Sequence, residues 1–318
     1  MSEQTQQSAA DKPVALIGAP TDIGAGARGG SMGPEALRVA GLTEVLRNLG
    51  RTVEDRGNLT GPFNPEQPSK DGYRHLPEVS AWCHQVRDAM YQAMVDGCFP
   101  ILLGGDHCLA VGSVAAVARY CAEQERPLTV LWMDAHADFN TCDTTPSGNI
   151  HGMPVAILAG HGPANLTEMG HRWPILEAHR VIQVGIRSVD RVEKVQVVEN
   201  KVVVYDMRTL DERGMRAVMD EALNRAAADD SHLHVSFDVD FLDPAIAPGV
   251  ATRVQGGPTY REAQLAMEMI HDSGLMHSLD LMELNPAFDT QNKTAALVVD
   301  LVGSLFGEQI LNRHKVDY

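Results

Sequence analysis

The sequence predicts an α/β fold in which a parallel sheet of about eight strands is wrapped by helices within one domain. Short apolar, β-branched runs alternate with longer amphipathic stretches, which is the rhythm of successive βαβ units. The runs are apolar enough to lie in a parallel sheet covered on both faces. Across the 318 residues no Pro/Gly/Ser-rich linker separates one half from the other.

Residues 1–12, MSEQTQQSAADK, are polar and are expected to form a loose tail, leaving 13–318 as the folded domain. Val14 to Ala19 reads as the first strand and Pro34 to Asn48 as the helix after it. Between them, Gly24-Ala25-Gly26-Ala27-Arg28-Gly29 satisfies G-x-G-x-x-G. The strand stops too early and the helix starts too late for a dinucleotide fingerprint, which needs the glycines in a tight strand-to-helix turn. The reading continues with a strand at Pro100 to Leu103, a helix at Leu109 to Glu123, and strands at Leu128 to Met133, Val181 to Ile186, Val202 to Tyr205 and His234 to Phe237. A helix at Tyr260 to Ile270, a strand at His277 to Leu281 and a helix at Thr294 to Leu305 complete it. Thr60 to Gly72 and Asn140 to Gly152 read as irregular loops.

With 26 Lys+Arg against 42 Asp+Glu, the net charge of −16 disfavours nucleic acid and anionic membrane surfaces and suits a small cationic substrate. The five cysteines form no C-x-x-C pair and do not read as a disulfide framework, so a reducing, cytoplasmic setting is expected. No stretch approaches the roughly 18 uninterrupted apolar residues of a membrane span.

Chemistry concentrates where three strands should end: Gly104-Gly105-Asp106-His107, Asp134-Ala135-His136-Ala137-Asp138 and Asp238-Val239-Asp240. In a parallel sheet such ends converge on one crevice. If extended, Asp134, His136 and Asp138 aim their side chains to one side, and Asp238 and Asp240 repeat the device. Four buried carboxylates raise one another's pKa and are costly without compensating cations. A lone D-x-D is commonly a turn or a helix cap, but three strand-end clusters together point to a metal site. His107, Asp134, His136, Asp138, Asp238 and Asp240 are too many ligands for one tetrahedral zinc. They suit two oxygen-loving divalent ions such as Mn²⁺, which would lower the pKa of an intervening water.

GGDHCLAVG, DAHADFN and SFDVDFLDP resemble the signatures of the arginase and agmatinase family of ureohydrolases, and the resemblance runs from IGAPTDIGAGARGG to MELNPAFD. It implies a three-layer α/β/α, arginase-like fold, usually assembled as homotrimers or homohexamers, with two Mn²⁺ per subunit. One ion would take His107, Asp134, Asp138 and Asp238; the other would take Asp134, His136, Asp238 and Asp240. The stretch Ser147-Gly148-Asn149-Ile150-His151-Gly152 is similar to that of arginases, which implies that Asn140, Ser147 and Asn149 hold an α-carboxylate. Arginine is therefore expected over agmatine, which lacks that group, with agmatine or guanidinobutyrate as the alternative substrate. The resemblance also implies His151 as proton shuttle, Asp138 as acceptor of a proton from the attacking water, Glu283 as guanidinium ligand, and Asp190 at the α-amino group. Thr252 is expected to line the pocket. The chain departs from the pattern at Ser188, where some arginases carry an acid, and in Pro248-Gly249-Val250-Ala251-Thr252-Arg253, which lacks the commoner T-G-T-P wording.

Overall fold

The computed structural model describes residues 12–311, so all but Lys12 of the expected tail lies outside the described residues. In chain order the elements are β1 (Val14–Gly18), α1 (Gly33–Val39), α2 (Leu42–Asn48), β2 (Val53–Asn58), α3 (Leu76–Val95), β3 (Phe99–Leu103), α4 (Ala110–Glu123) and β4 (Leu128–Met133). They continue with α5 (Pro154–Leu158), α6 (Ala164–Thr167), β5 (Val181–Ile186), α7 (Glu193–Glu199), β6 (Val203–Asp206) and α8 (Met207–Ala227). The last four are β7 (His232–Asp238), α9 (Tyr260–Ser273), β8 (Met276–Met282) and α10 (Lys293–Leu305). No described helix is long and apolar enough to cross a membrane.

Eight strands form one sheet in the order β2-β1-β3-β8-β7-β4-β5-β6, and each neighbouring pair is parallel. Side chains alternate between its faces. Val14, Leu16, Ile101, Leu103, Leu131 and Met133 join one buried cluster with residues of α1, α2, α8, α9 and α10. Ala15, Ile17, Leu102, Val130 and Trp132 join a second cluster with α3, α4, α5 and α6. Helices thus cover both faces, giving three layers.

The seven strands and three of the helices anticipated from pattern are present with ends shifted by a few residues. The fourth expected helix, Pro34 to Asn48, is instead two, broken where Gly41 adopts φ 91° at the start of α2. A residue with a β-carbon resists that left-handed conformation, so the sequence writes its own break. The unanticipated eighth strand, β2, has the sequence VEDRGN and pairs only with β1. An edge strand with a largely exposed surface has no apolar run to betray it.

Parallel pairing brings every strand's carboxyl end to one rim. The four central neighbours there, β3, β8, β7 and β4, precede His107, Glu283, Asp240 and Asp134 respectively, while Asp238 is the last residue of β7.

Candidate active site and metal centre

At the end of β3, an ideal β-carbon on Gly105 would lie 1.6 Å from the carbonyl oxygen of Thr21, so only glycine lets the two backbones meet. Asp106 then fastens the turn: its carboxylate accepts from Gly24 N at 2.9 Å and from Cys108 N at 3.1 Å. Burial, then the charge of Glu283, pushes its pKa up to about 6. The next side chain, His107, is buried with its ring stacked on Trp132 at a centroid distance of 4.1 Å. Its Nε2 lies 2.8 Å from Ser236 Oγ. Its Nδ1 faces three carboxylates, with Asp238 Oδ2 at 3.0 Å, Asp134 Oδ2 at 3.1 Å and Asp138 Oδ2 at 3.4 Å. A proton on Nε2 shared with Ser236 would leave the Nδ1 lone pair directed at that cluster.

Beside it, His136 Nδ1 lies 3.1 Å from Asp240 Oδ2 and 3.5 Å from Asp134 Oδ1. Two donor sets result, His107/Asp134/Asp238 and Asp134/His136/Asp240, each with ligand atoms within 4.8 Å of one another, and Asp134 belongs to both. The six sequence-predicted ligands therefore meet, though not by the extended geometry expected of them. β4 ends at Met133, and Asp138 has φ 52°. Asp240 sits in a 3-10 turn after β7 and donates its backbone N–H to Asp238 Oδ1 at 2.7 Å. Turns that wrap side chains around a centre, rather than alternation along a strand, produce the convergence.

The electrostatics describe a place for cations. Burial followed by the charge of Asp134 drives the Asp138 pKa well above the usual carboxylate range; burial followed by Asp240 does the same to Asp238. Burial also opposes protonation of His107, yet the carboxylates around it, Asp134 foremost, lift its pKa to about 9. His136 is raised likewise, burial being outweighed first by the charge of Asp240. Protons thus gather among these side chains to offset crowded negative charge. Four carboxylates and two imidazoles are also the donor set that oxygen-preferring divalent ions take, so the residues present fit such ions.

A cleft of about 100 Å³ opens over the cluster, enough for a small polar headgroup but not for a dinucleotide. Glu283, at the end of β8, has φ 64° and donates its backbone N–H to Gly105 O at 2.7 Å. Its Oε1 accepts from His107 N at 2.9 Å and lies 2.9 Å from His151 Nδ1. Burial works against its ionisation, but the charge of His151 prevails and lowers its pKa. Reciprocally, burial disfavours His151 protonation, and Glu283 overcomes that. The His151 side chain is 15% exposed, open enough to exchange protons with the cleft.

Across the cleft, Asn140 Nδ2 donates to Asp190 Oδ2 at 3.0 Å, and Thr252 Oγ1 donates to Asp240 Oδ2 at 2.8 Å. Asn140, Asp190 and Thr252 line the wall. Ser147 and Asn149 do not: they stand outside it in the loop after β4, where Asn149 N donates to Ser147 Oγ at 3.2 Å and Arg74 Nη1 donates to Asn149 Oδ1 at 3.1 Å.

A sequence profile described as the Arginase family matches residues 12–307. The chain belongs to the arginase family. It is an arginase-type hydrolase by that membership, and an arginase of Brucella melitensis biotype 1 is 47% identical to it over 95% of this chain and 99% of the relative. The native structure of arginase from Bacillus caldovelox superposes with a TM-score of 0.89 at 41% identity, covering 94% of this chain and 100% of the other. Entamoeba histolytica arginase in complex with L-ornithine gives 0.87 at 29% identity, covering 94% and 99%.

Several residues that shape this arginase-family site were missed in reading the sequence. Trp132 donates Nε1–H to Asp134 Oδ2 at 2.9 Å and stacks on His107, while Ser236 meets the same ring at its edge. Each lies two positions before a predicted ligand, on the same strand face, so the period of two could have found both. Glu193 lines the cleft, accepts from Phe139 N and Asp190 N at 2.8 and 2.9 Å, and is raised in pKa chiefly by burial. Arg187 donates to the carbonyls of Asp240, Phe241 and Val254, tying the ends of β5 and β7 together. Neither of these two residues had a local motif to announce it.

Proposed function

We propose that this protein hydrolyses L-arginine to L-ornithine and urea at a centre that holds two Mn²⁺ ions. The observation that carries the reading is Glu283 Oε1, which bridges His151 Nδ1 and the backbone of His107 beside the cluster of acids and imidazoles. The relatives called arginase, one of them in complex with L-ornithine, support it.

His107, Asp134, Asp138 and Asp238 would hold one ion and Asp134, His136, Asp238 and Asp240 the other, with Asp134 and Asp238 shared. When bound, the ions offset the four carboxylates and lower the pKa of an adjacent water, supplying hydroxide for the guanidinium carbon near neutral pH. Ionised Glu283 orients the guanidinium through charge-assisted hydrogen bonds. Asp138 accepts the proton of the attacking water, and His151 delivers one to the departing amine. Asn140 in the wall, with Ser147 and Asn149 from the loop outside it, would take the α-carboxylate, Asp190 would take the α-amino group, and Thr252 lines the pocket beside Asp240. The family resemblance supports a homotrimer or homohexamer, and five free cysteines suit the cytoplasm.

Urea release from Mn²⁺-supplied protein, measured separately with L-arginine, agmatine and guanidinobutyrate, tests the reading. A kcat/KM for arginine at least about a hundredfold above the others is expected, because polar groups built for a carboxylate go unpaired when it is missing. Equal or faster release from agmatine would overturn the choice of substrate.

A further inference from the structure

The segment before α3 and the loop after β4 are stitched together outside the cleft. Arg74 N donates to Gly148 O at 2.8 Å, and Lys70 and Tyr73 exchange backbone hydrogen bonds of 2.7 and 2.9 Å just before it. The packing is close: an ideal β-carbon on Gly148 would lie 2.7 Å from Ser69 Cβ, and one on Gly72 would lie 2.5 Å from Cys142 O. From this platform the half-buried Arg74 side chain reaches Asn149 Oδ1 through Nη1 at 3.1 Å, while its Nε is buried with no hydrogen-bond partner.

A guanidinium has five N–H donors and no acceptor, so the Asn149 atom that meets it must be the carbonyl oxygen. The amide's NH₂ end is thereby turned the other way. It lies against Gly26, where an ideal β-carbon would stand 2.8 Å from Nδ2. Gly26 belongs to the loop whose Gly24 carbonyl accepts from His151 N at 3.2 Å, so this donor end borders the rim that carries the histidine. Left to itself, a partly exposed amide can rotate by half a turn, and a carbonyl oxygen facing a carboxylate repels it.

We propose that Arg74 is a positioning residue for substrate specificity: by holding the Asn149 carbonyl, it keeps the amide N–H groups presented to the α-carboxylate of the substrate. The inference rests on the reading that Asn149 belongs to the α-carboxylate subsite. Arg74 is not among the residues that line the cleft, so its effect falls on binding of the carboxylate and not on bond cleavage.

The test compares R74A, R74K, N149A and the double variant R74A/N149A in the Mn²⁺-supplied enzyme, with a thermal melt of each to establish folding. For R74A, KM for L-arginine should rise about tenfold, the loss expected for a charge-assisted hydrogen bond. Its kcat should stay within about twofold, and agmatine, measured as a competitive inhibitor, should bind as in the parent. R74K should recover most of the loss, because an ammonium also only donates and selects the same amide orientation. The double variant should match N149A to within about twofold, since a residue acting through Asn149 has nothing left to orient. Equal weakening of arginine and agmatine, a fall in kcat alone, or multiplying effects in the double variant would overturn the proposal. The outcomes also separate it from the reading beneath it: an unchanged KM in N149A sinks the carboxylate subsite, whereas a raised KM in N149A with an unchanged one in R74A sinks only the role of Arg74. If R74A fails to fold, R74K and R74Q carry the comparison, with R74Q expected to behave as R74A does.

Discussion

His151 and Glu283 hold each other in their charged forms across 2.9 Å, which couples proton inventory to substrate. On the proposed reading, a guanidinium drawn to Glu283 would bring positive charge beside the imidazole, offset the carboxylate, and make the His151 proton easier to surrender when the amine leaves. His151→Ala is accordingly expected to lower kcat by roughly a hundredfold while KM changes little, in line with the loss of one positioned acid–base group. Steady-state urea production over a range of pH checks this, and undiminished turnover throughout would remove the shuttle. At this scale the cluster was largely legible, since D-A-H-A-D and D-V-D carry in plain view the acids and imidazole that meet there. The backbone that makes them converge was not: Asp138 and Glu283 adopt positive φ, a conformation that residue type alone does not announce and that recurs where a site over-determines its side chains.

Strands buried on both faces could be read to within a residue or two, because burial from above and below leaves only one polar residue each, Thr129 and Gln183, in Leu128–Met133 and Val181–Ile186. β2 was invisible for the opposite reason, its polar side chains facing solvent at the sheet edge. α3 and α8 went unassigned, and α8 is further obscured by Gly214, which interrupts it with φ 79° and ψ 152°. The close meeting of the β3 end with the loop after β1 was equally beyond a sequence reading, although the Gly-Gly pair marks it. Replacing Gly105 with alanine forces a methyl group into the Thr21 carbonyl and must part the two segments. Gly105→Ala should cost at least about 3 kcal/mol in a denaturant titration, the upper range for an overpacked core. It should also depress kcat by moving His107 and the Gly105 carbonyl that anchors Glu283. Wild-type stability in that variant would show that the contact is slack.

The sheet's opposite end carries a separate titration. Arg126 Nη1 donates to His277 Nε2 at 3.0 Å and the His277 Nδ1–H points to the Leu275 carbonyl, so burial and the adjacent guanidinium hold its pKa down to about 4. His232, whose ring packs against it at 4.8 Å, is lowered as well, by burial and then by His277. The unfolded chain binds these protons near pH 6.5 and the folded chain only below it, so stability is full above about pH 6.5 and falls as pH drops towards 4. His277→Gln should flatten that slope by up to about 3 kcal/mol in urea titrations at pH 7 and pH 4.5, and an unaltered slope would disprove the assignment. The order of the sheet carries one more consequence. β8, the last strand of the described residues, is slotted between β3 and β7, and until it arrives the sheet is two unjoined blocks with raw edges facing each other. Glu283, which follows it, stands 176 residues from the His107 backbone it grips. On the proposed reading, an unfinished copy on the ribosome would lack the carboxylate that grips the substrate, and turnover would begin only when the central gap is closed.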